Sequence, residues 1–235
     1  MTQLQWELGK ALGDGVGVAC TGIDGDPGQL WPEEREAVQK AIPRRQREFA
    51  AGRQAAREAM GRIGFPPQAI PSAIDRSPIW PVGVVGSIAH NNHVCVAILG
   101  RRSEVHAIGI DIEDDRPLEA DLWPTICTEQ ELATLGLLPP SDRGHWVTRA
   151  FCAKEAYYKW QYPQTGRILD FCDVQLTFNH DHSEFRVGQA PTANVPVLIH
   201  LPAGKVRESG GLIVAWLIGA RVDRAPQSCF PPASS

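Results

Sequence analysis

No apolar run in this 235-residue chain is long enough to cross a bilayer. The longest, at residues 94–99 and 212–218, fall far short of the ~20 residues that a spanning helix needs. The first fifteen residues hold no basic segment followed by an apolar stretch, so the expectation is no secretory signal and a cytoplasmic protein. The six cysteines (Cys20, Cys95, Cys127, Cys152, Cys172 and Cys229) are scattered without a CxxC pair. That spacing speaks against a structural zinc site and fits free thiols in a reducing compartment. There is no excess of basic residues: the net charge is −4, which argues against nucleic acid as a partner. No internal repeat is visible. Hydrophobic and charged contents of 43% and 21% describe a globular chain with enough length for one large domain or two small ones.

Against this ordinary background, two segments carry chemistry. In Gly109-Ile110-Asp111-Ile112-Glu113, the acids are two apart, so on a strand both point to one face, while the isoleucines suit the other. Adjacent carboxylates repel unless a proton or cation sits between them. A hard divalent ion such as Mg²⁺ meets that need with a few carboxylates, filling its other sites with water or phosphate. In Phe151-Cys152-Ala153-Lys154-Glu155-Ala156-Tyr157-Tyr158-Lys159, Glu155 could supply a third oxygen. Glu155 and Lys159, at i and i+4, share a helical face, and Lys154 lies close enough to reach the same phosphates.

The pattern predicts a strand at 15–20, a helix opening at Pro32, and an arginine-rich helix from Pro43 to about Arg62. Residues 70–81 read as a loop or weak edge strand with Arg76-Ser77-Pro78 as its turn. Strands follow at 82–88, 94–99 and 107–112, with Asn91-Asn92 marking a hairpin. Thr128 and Glu131 form a capping box for a short helix. A strong helix is expected over 145–160, ended by Pro163, and then strands at 174–178, 184–187, 195–201 and 212–218. The tail from 224 to 235 reads as disordered. His180-Asp181-His182 sits in a polar turn and is not expected to bind metal. Arg44, Arg47 and Arg62 are read as surface residues.

Together with Gly86-Ser87-Ile88-Ala89-His90 and the arginine helix, these blocks resemble the 4′-phosphopantetheinyl transferases, most closely the single-chain, two-lobed type serving siderophore, polyketide and nonribosomal peptide synthases. The ordered set spans residues 43–218. The resemblance implies an α+β fold of two similar lobes, residues 1–105 and 106–223, with the active site in the cleft between them. It implies transfer of the 4′-phosphopantetheine arm of coenzyme A to a serine of an apo acyl or peptidyl carrier protein, with adenosine 3′,5′-bisphosphate leaving. Asp111, Glu113 and Glu155 would bind Mg²⁺, with Glu155 the candidate base and Lys154 and Lys159 stabilising the departing phosphate. Arg45, Arg53 and His90 would hold the nucleotide end. The family has Ser or Thr where this chain has Ala89, so Ser87 is the candidate substitute hydroxyl, and Arg76 stands in for a displaced basic group of the preceding turn. A monomer is expected, since one chain supplies both lobes. Two other classes remain: another metal-dependent phosphoryl enzyme, and a non-catalytic binding module for coenzyme A or a carrier protein.

Overall fold

The computed structural model describes residues 2–193, 196–198 and 202–220. Helix α1 (Thr2–Leu12) and strand β1 (Val16–Gly22) lead to a short helix α2 (Pro32–Arg35) and the long α3 (Pro43–Arg62). Strands β2 (Val84–His90), β3 (Val94–Arg101) and β4 (Val105–Asp114) follow. Then come three helices, α4 (Trp123–Ile126), α5 (Glu129–Leu135) and α6 (Pro140–Thr165), and four strands, β5 (Val174–Phe178), β6 (Glu184–Gln189), β7 (Gly204–Ser209) and β8 (Leu212–Ala220).

Two antiparallel sheets result. The first has the order β1-β3-β2 and the second β4-β8-β7-β6-β5. Although β3 and β4 follow each other in sequence, β4 leaves the first sheet and pairs with β8, Asp111 opposite Ala215 and Glu113 opposite Ile213. Each sheet is covered by one long helix, α3 over the first and α6 over the second. The two lobes are thus alike in plan and unequal in strand number. Ala55, Ala59 and Met60 of α3 pack with Cys95 and Leu99 of β3; Val147, Cys152 and Ala156 of α6 pack with Phe185 of β6 and Ile213 of β8. Between the sheets, Ile108, Ile110 and Ile112 of β4 meet Val85 and Ala89 of β2, with Leu4 and Leu8 of α1 closing the edge. The alternation in β4 therefore sends its isoleucines to the seam between lobes and its acids to α6.

Helix α1 was not among the expected elements. Leu4, Leu8 and Leu12 recur at helical spacing, and burial of the first two in the seam stabilises the helix. The α6 helix begins five residues before the expected start, with Pro140 in its first turn, and runs past Pro163 to Thr165. Gln164 Nε2 donates to the Trp160 carbonyl oxygen at 2.6 Å, and Gly166, at φ 64°, ends the helix in the left-handed region. The expected strand at 195–201 is absent over the described residues 196–198, where the Tyr157 hydroxyl bonds both the amide and the carbonyl of Leu198 at 3.1 Å. The rest of that segment and the tail lie outside the described residues. Strand β7, a polar stretch between β6 and β8, was not expected.

One contact fixes the relation of α6 to β4. A Cβ at Gly109 would stand 2.0 Å from the Ala156 carbonyl oxygen and 2.7 Å from Trp160 Cβ. Only glycine lets the helix lie this close. Gly109→Ala is expected to lower stability by roughly 3 kcal/mol through overpacking. Denaturant unfolding of the variant checks this, and a midpoint unchanged from wild type would contradict it.

Candidate active site

A cavity of about 580 Å³ opens between the lobes, walled by α3, the loop at 75–80, β2 and α6. It gathers Arg45, Arg53, Arg76, Ser87 and His90 from the first lobe and Glu155 and Lys159 from the second. Arg45 and Arg53 reach it from one face of α3, and β2 ends on it at His90. Along α6, Glu155, Tyr158, Lys159 and Tyr162 form a single stripe at helical spacing that faces the cavity.

On the first-lobe side, Arg45 Nη1 donates to His90 Nε2 at 3.2 Å. Burial, helped by the Arg45 and Lys159 charges, holds His90 below its ordinary pKa and so neutral near pH 7. Glu48 accepts from Arg44 at 2.8 Å and faces Arg45 at 3.5 Å. Burial works against its carboxylate, but Arg44, His90 and Arg45 more than offset that and hold it below its usual range. The sequence reading passed over Glu48, although its i+3 and i+4 spacing from Arg45 and Arg44 is a signal. Arg53 is buried and stacks 4.0 Å from the Phe49 ring centre. Its Nε donates to the Ile70 carbonyl oxygen at 2.6 Å and its Nη2 to Ser72 Oγ at 2.9 Å. Burial lowers its pKa to about 10, which leaves it charged near pH 7. Much of its donor capacity therefore goes to anchoring the loop that leads to Arg76.

On the second-lobe side, Lys159 Nζ meets Asp111 Oδ1 at 2.6 Å. Burial opposes the Lys159 charge, yet Asp111 and Glu155 overcome it and raise the pKa. Asp111 is buried, and its Oδ2 has no hydrogen-bond partner. Glu113 is pushed up to about 7 by burial and by the Asp111 charge. Burial and Asp111 raise Glu155 as well, against the pull of Lys159. The three acids thus lie in one field with Lys159 as the cation beside them. Among the described residues no three His, Cys, Asp or Glu side chains converge into a preformed metal cage. Lys159 sits on Asp111, where a cation would otherwise balance the charge. An orphaned buried carboxylate oxygen, and two further acids whose ionisation is suppressed, fit a hard divalent cation such as Mg²⁺.

One expected contact is not made. Lys154 does not line the cavity. It is buried toward α5, where Nζ donates to Glu131 Oε2 at 2.7 Å, the Ile126 carbonyl oxygen at 2.8 Å and the Phe171 carbonyl oxygen at 2.9 Å. Adjacent helical residues diverge by ~100°, and this divergence carries its ammonium into the α5 capping network instead. Its role is to hold the helix that bears Glu155. Ser87 lines the cavity, and its Oγ accepts from the Ile110 amide at 3.2 Å in the lobe seam, which fixes the oxygen and leaves its O–H free to donate. Tyr158, Tyr162, Phe49 and Trp80 complete the walls; as aromatic residues within apolar stretches they gave no signal distinct from core.

Residues 33–100 match the model of the 4′-phosphopantetheinyl transferase N-terminal domain, and residues 107–200 that of the 4′-phosphopantetheinyl transferase superfamily. The chain is 37% identical over 169 residues to 4′-phosphopantetheinyl transferase Svp of Streptomyces mobaraensis, covering 71% of this chain and 69% of that protein. The chain belongs to this family. It is also 37% identical over 150 residues to 4′-phosphopantetheinyl transferase PptT of Mycobacterium tuberculosis (64% and 66% covered). With 4′-phosphopantetheinyl transferase Npt of Nocardia iowensis it shares 33% identity over 180 residues (71% and 80% covered). Among solved structures, a holo-(acyl-carrier-protein) synthase from Bacillus anthracis covers 51% of this chain and 99% of its own at 23% identity and a TM-score of 0.38. The family match takes in the arginine helix, the Gly86–His90 block, the acids of β4 and the Lys154–Lys159 block.

Two outcomes are expected. Because the folded-state pKa of Glu113 stands above its ordinary 4.5 at about 7, the metal-free fold binds an extra proton there and loses stability as pH rises through that window. Melts of wild type and Glu113→Gln should diverge between those values, the variant becoming relatively more stable at the upper end; a constant difference would contradict the assignment. Lys154→Met strands Glu131 as a buried, unpaired charge and should cost about 3–5 kcal/mol, read by denaturant unfolding; an unchanged midpoint would contradict it.

Proposed function

We propose that this chain transfers the 4′-phosphopantetheine arm of coenzyme A to a serine hydroxyl of an apo acyl or peptidyl carrier protein and releases adenosine 3′,5′-bisphosphate. The observation that carries the reading is one cavity with two chemistries: arginines and a neutral histidine on one wall, and on the other a stripe of Glu155 and Lys159, with Asp111 behind it on Lys159. A pyrophosphate ester needs the first wall for its negative charge and the second for its reacting centre. Family membership supports the same reading.

Arg45, Arg76 and His90 bind the nucleotide end, as forked or neutral donors suited to phosphate oxygens. Arg53 acts mainly by holding the loop before Arg76. Asp111, Glu113 and Glu155 would hold Mg²⁺, whose charge offsets that of the pyrophosphate. The serine oxygen attacks the phosphorus that bears the pantetheine arm, and the bond from that phosphorus to the bridging oxygen breaks. Glu155 takes the hydroxyl proton, a role that its raised pKa favours. Lys159 stabilises the charge that develops on the leaving bisphosphate. One chain supplies both walls, in keeping with a monomer. No helix among the described residues is long and apolar enough to cross a membrane.

Incubation of an apo carrier protein with coenzyme A and Mg²⁺ should raise its intact mass by one phosphopantetheinyl group. Glu155→Gln should slow that gain by roughly 10²–10⁴-fold, the range of general-base catalysis. Unmodified carriers across several acyl and peptidyl types, with coenzyme A still bound, would instead support a binding module.

A further inference from the structure

The cavity's three arginines are not in equal states. Arg45 bonds His90 and faces Glu48, and Arg53 is bound to Ile70 and Ser72. Among the described residues nothing hydrogen-bonds or ion-pairs with the Arg76 guanidinium, although Arg76 lines the cavity. Its backbone lies at φ 69°, in the left-handed region that a residue with a Cβ seldom occupies. Such a conformation persists only where its surroundings impose it.

Those surroundings are compact. The loop narrows at a bridge between Ser72 and Pro78, and the Ala73 amide donates to the Ser77 carbonyl oxygen at 2.9 Å. Asp75 ties the turn together. Its Oδ1 accepts from the Ser77 amide at 2.9 Å and from Ser77 Oγ at 2.7 Å, while its Oδ2 accepts from the Tyr162 hydroxyl at 2.8 Å. This last bond leaves the loop altogether. It crosses the cavity to the second lobe and ends on the α6 stripe that carries Glu155 and Lys159. Tyr162 is braced there by Tyr158, with ring centres 5.4 Å apart and planes 18° from parallel.

We infer that Tyr162 is a positioning residue: through Asp75 it fixes the turn that presents Arg76, and so sets the distance between the anion-binding loop of one lobe and the catalytic helix of the other. The inference rests on the proposed function. An exposed hydrogen bond of this kind contributes little to global stability, so its effect is local. It confines an otherwise free, unpaired guanidinium to the cavity before the ligand arrives.

The test is calorimetric titration of coenzyme A into wild type, Tyr162→Phe, Arg76→Ala and the double variant. Tyr162→Phe should weaken coenzyme A binding about five-fold, the scale of one hydrogen bond, with an unchanged melting temperature. In turnover, the change should fall in KM for coenzyme A and not in kcat. Because Tyr162 acts through Arg76, the double variant should bind no more weakly than Arg76→Ala alone. A Tyr162→Phe chain that binds like wild type, or losses that add in the double variant, would overturn the inference while leaving the function intact. A wild-type chain that binds no coenzyme A would overturn the proposed function, and the role of Tyr162 with it.

Discussion

Contact between α6 and β4 at Gly109, with backbone atoms where a side chain would otherwise stand, governs the geometry of the second lobe. At this distance, residues two and four positions along β4 from that glycine lie beneath the helical stripe, and Lys159 reaches Asp111. Strand periodicity puts Gly109, Asp111 and Glu113 on one face and three isoleucines on the other. A single strand therefore binds a helix, positions two acids and seals the seam to the first lobe. A wider helix–strand spacing would separate the ammonium from the carboxylate and leave both desolvated without compensation.

The cavity inherits its asymmetry from this arrangement. On the first lobe, positive charge is held in place by partners already present: Glu48 for Arg44 and Arg45, backbone oxygen and Ser72 for Arg53. On the second lobe, negative charge exceeds what Lys159 balances, and burial pushes Glu113 and Glu155 toward their protonated forms. Under the proposed function, the phosphates of the ligand would compensate one wall and a divalent cation the other.

Much of this was legible in the sequence, because the signals were local. The arginine helix, the Thr128–Glu131 capping box and most strands follow from periodicity and turn chemistry within a few residues. The ordered motif blocks point to the family that the comparisons show. What escaped depended on distant partners. Lys154 could be placed only by knowing that Glu131 and two backbone oxygens would surround it from other elements. Strand β7 carries little apolar signal because its pairing with β6 and β8, not its composition, makes it a strand. The apolar segment before it, expected as a strand, instead meets a tyrosine hydroxyl at Leu198.

The central claim is that one site is built by both lobes, and binding of coenzyme A in the presence of Mg²⁺ tests it most directly when one cavity residue from each lobe is removed in turn. Arg45→Ala and Lys159→Ala should each weaken binding by about ten-fold or more, as expected for loss of a charged hydrogen-bond donor. Weakening by the first with no effect of the second would contradict a composite site and confine the ligand to the first lobe.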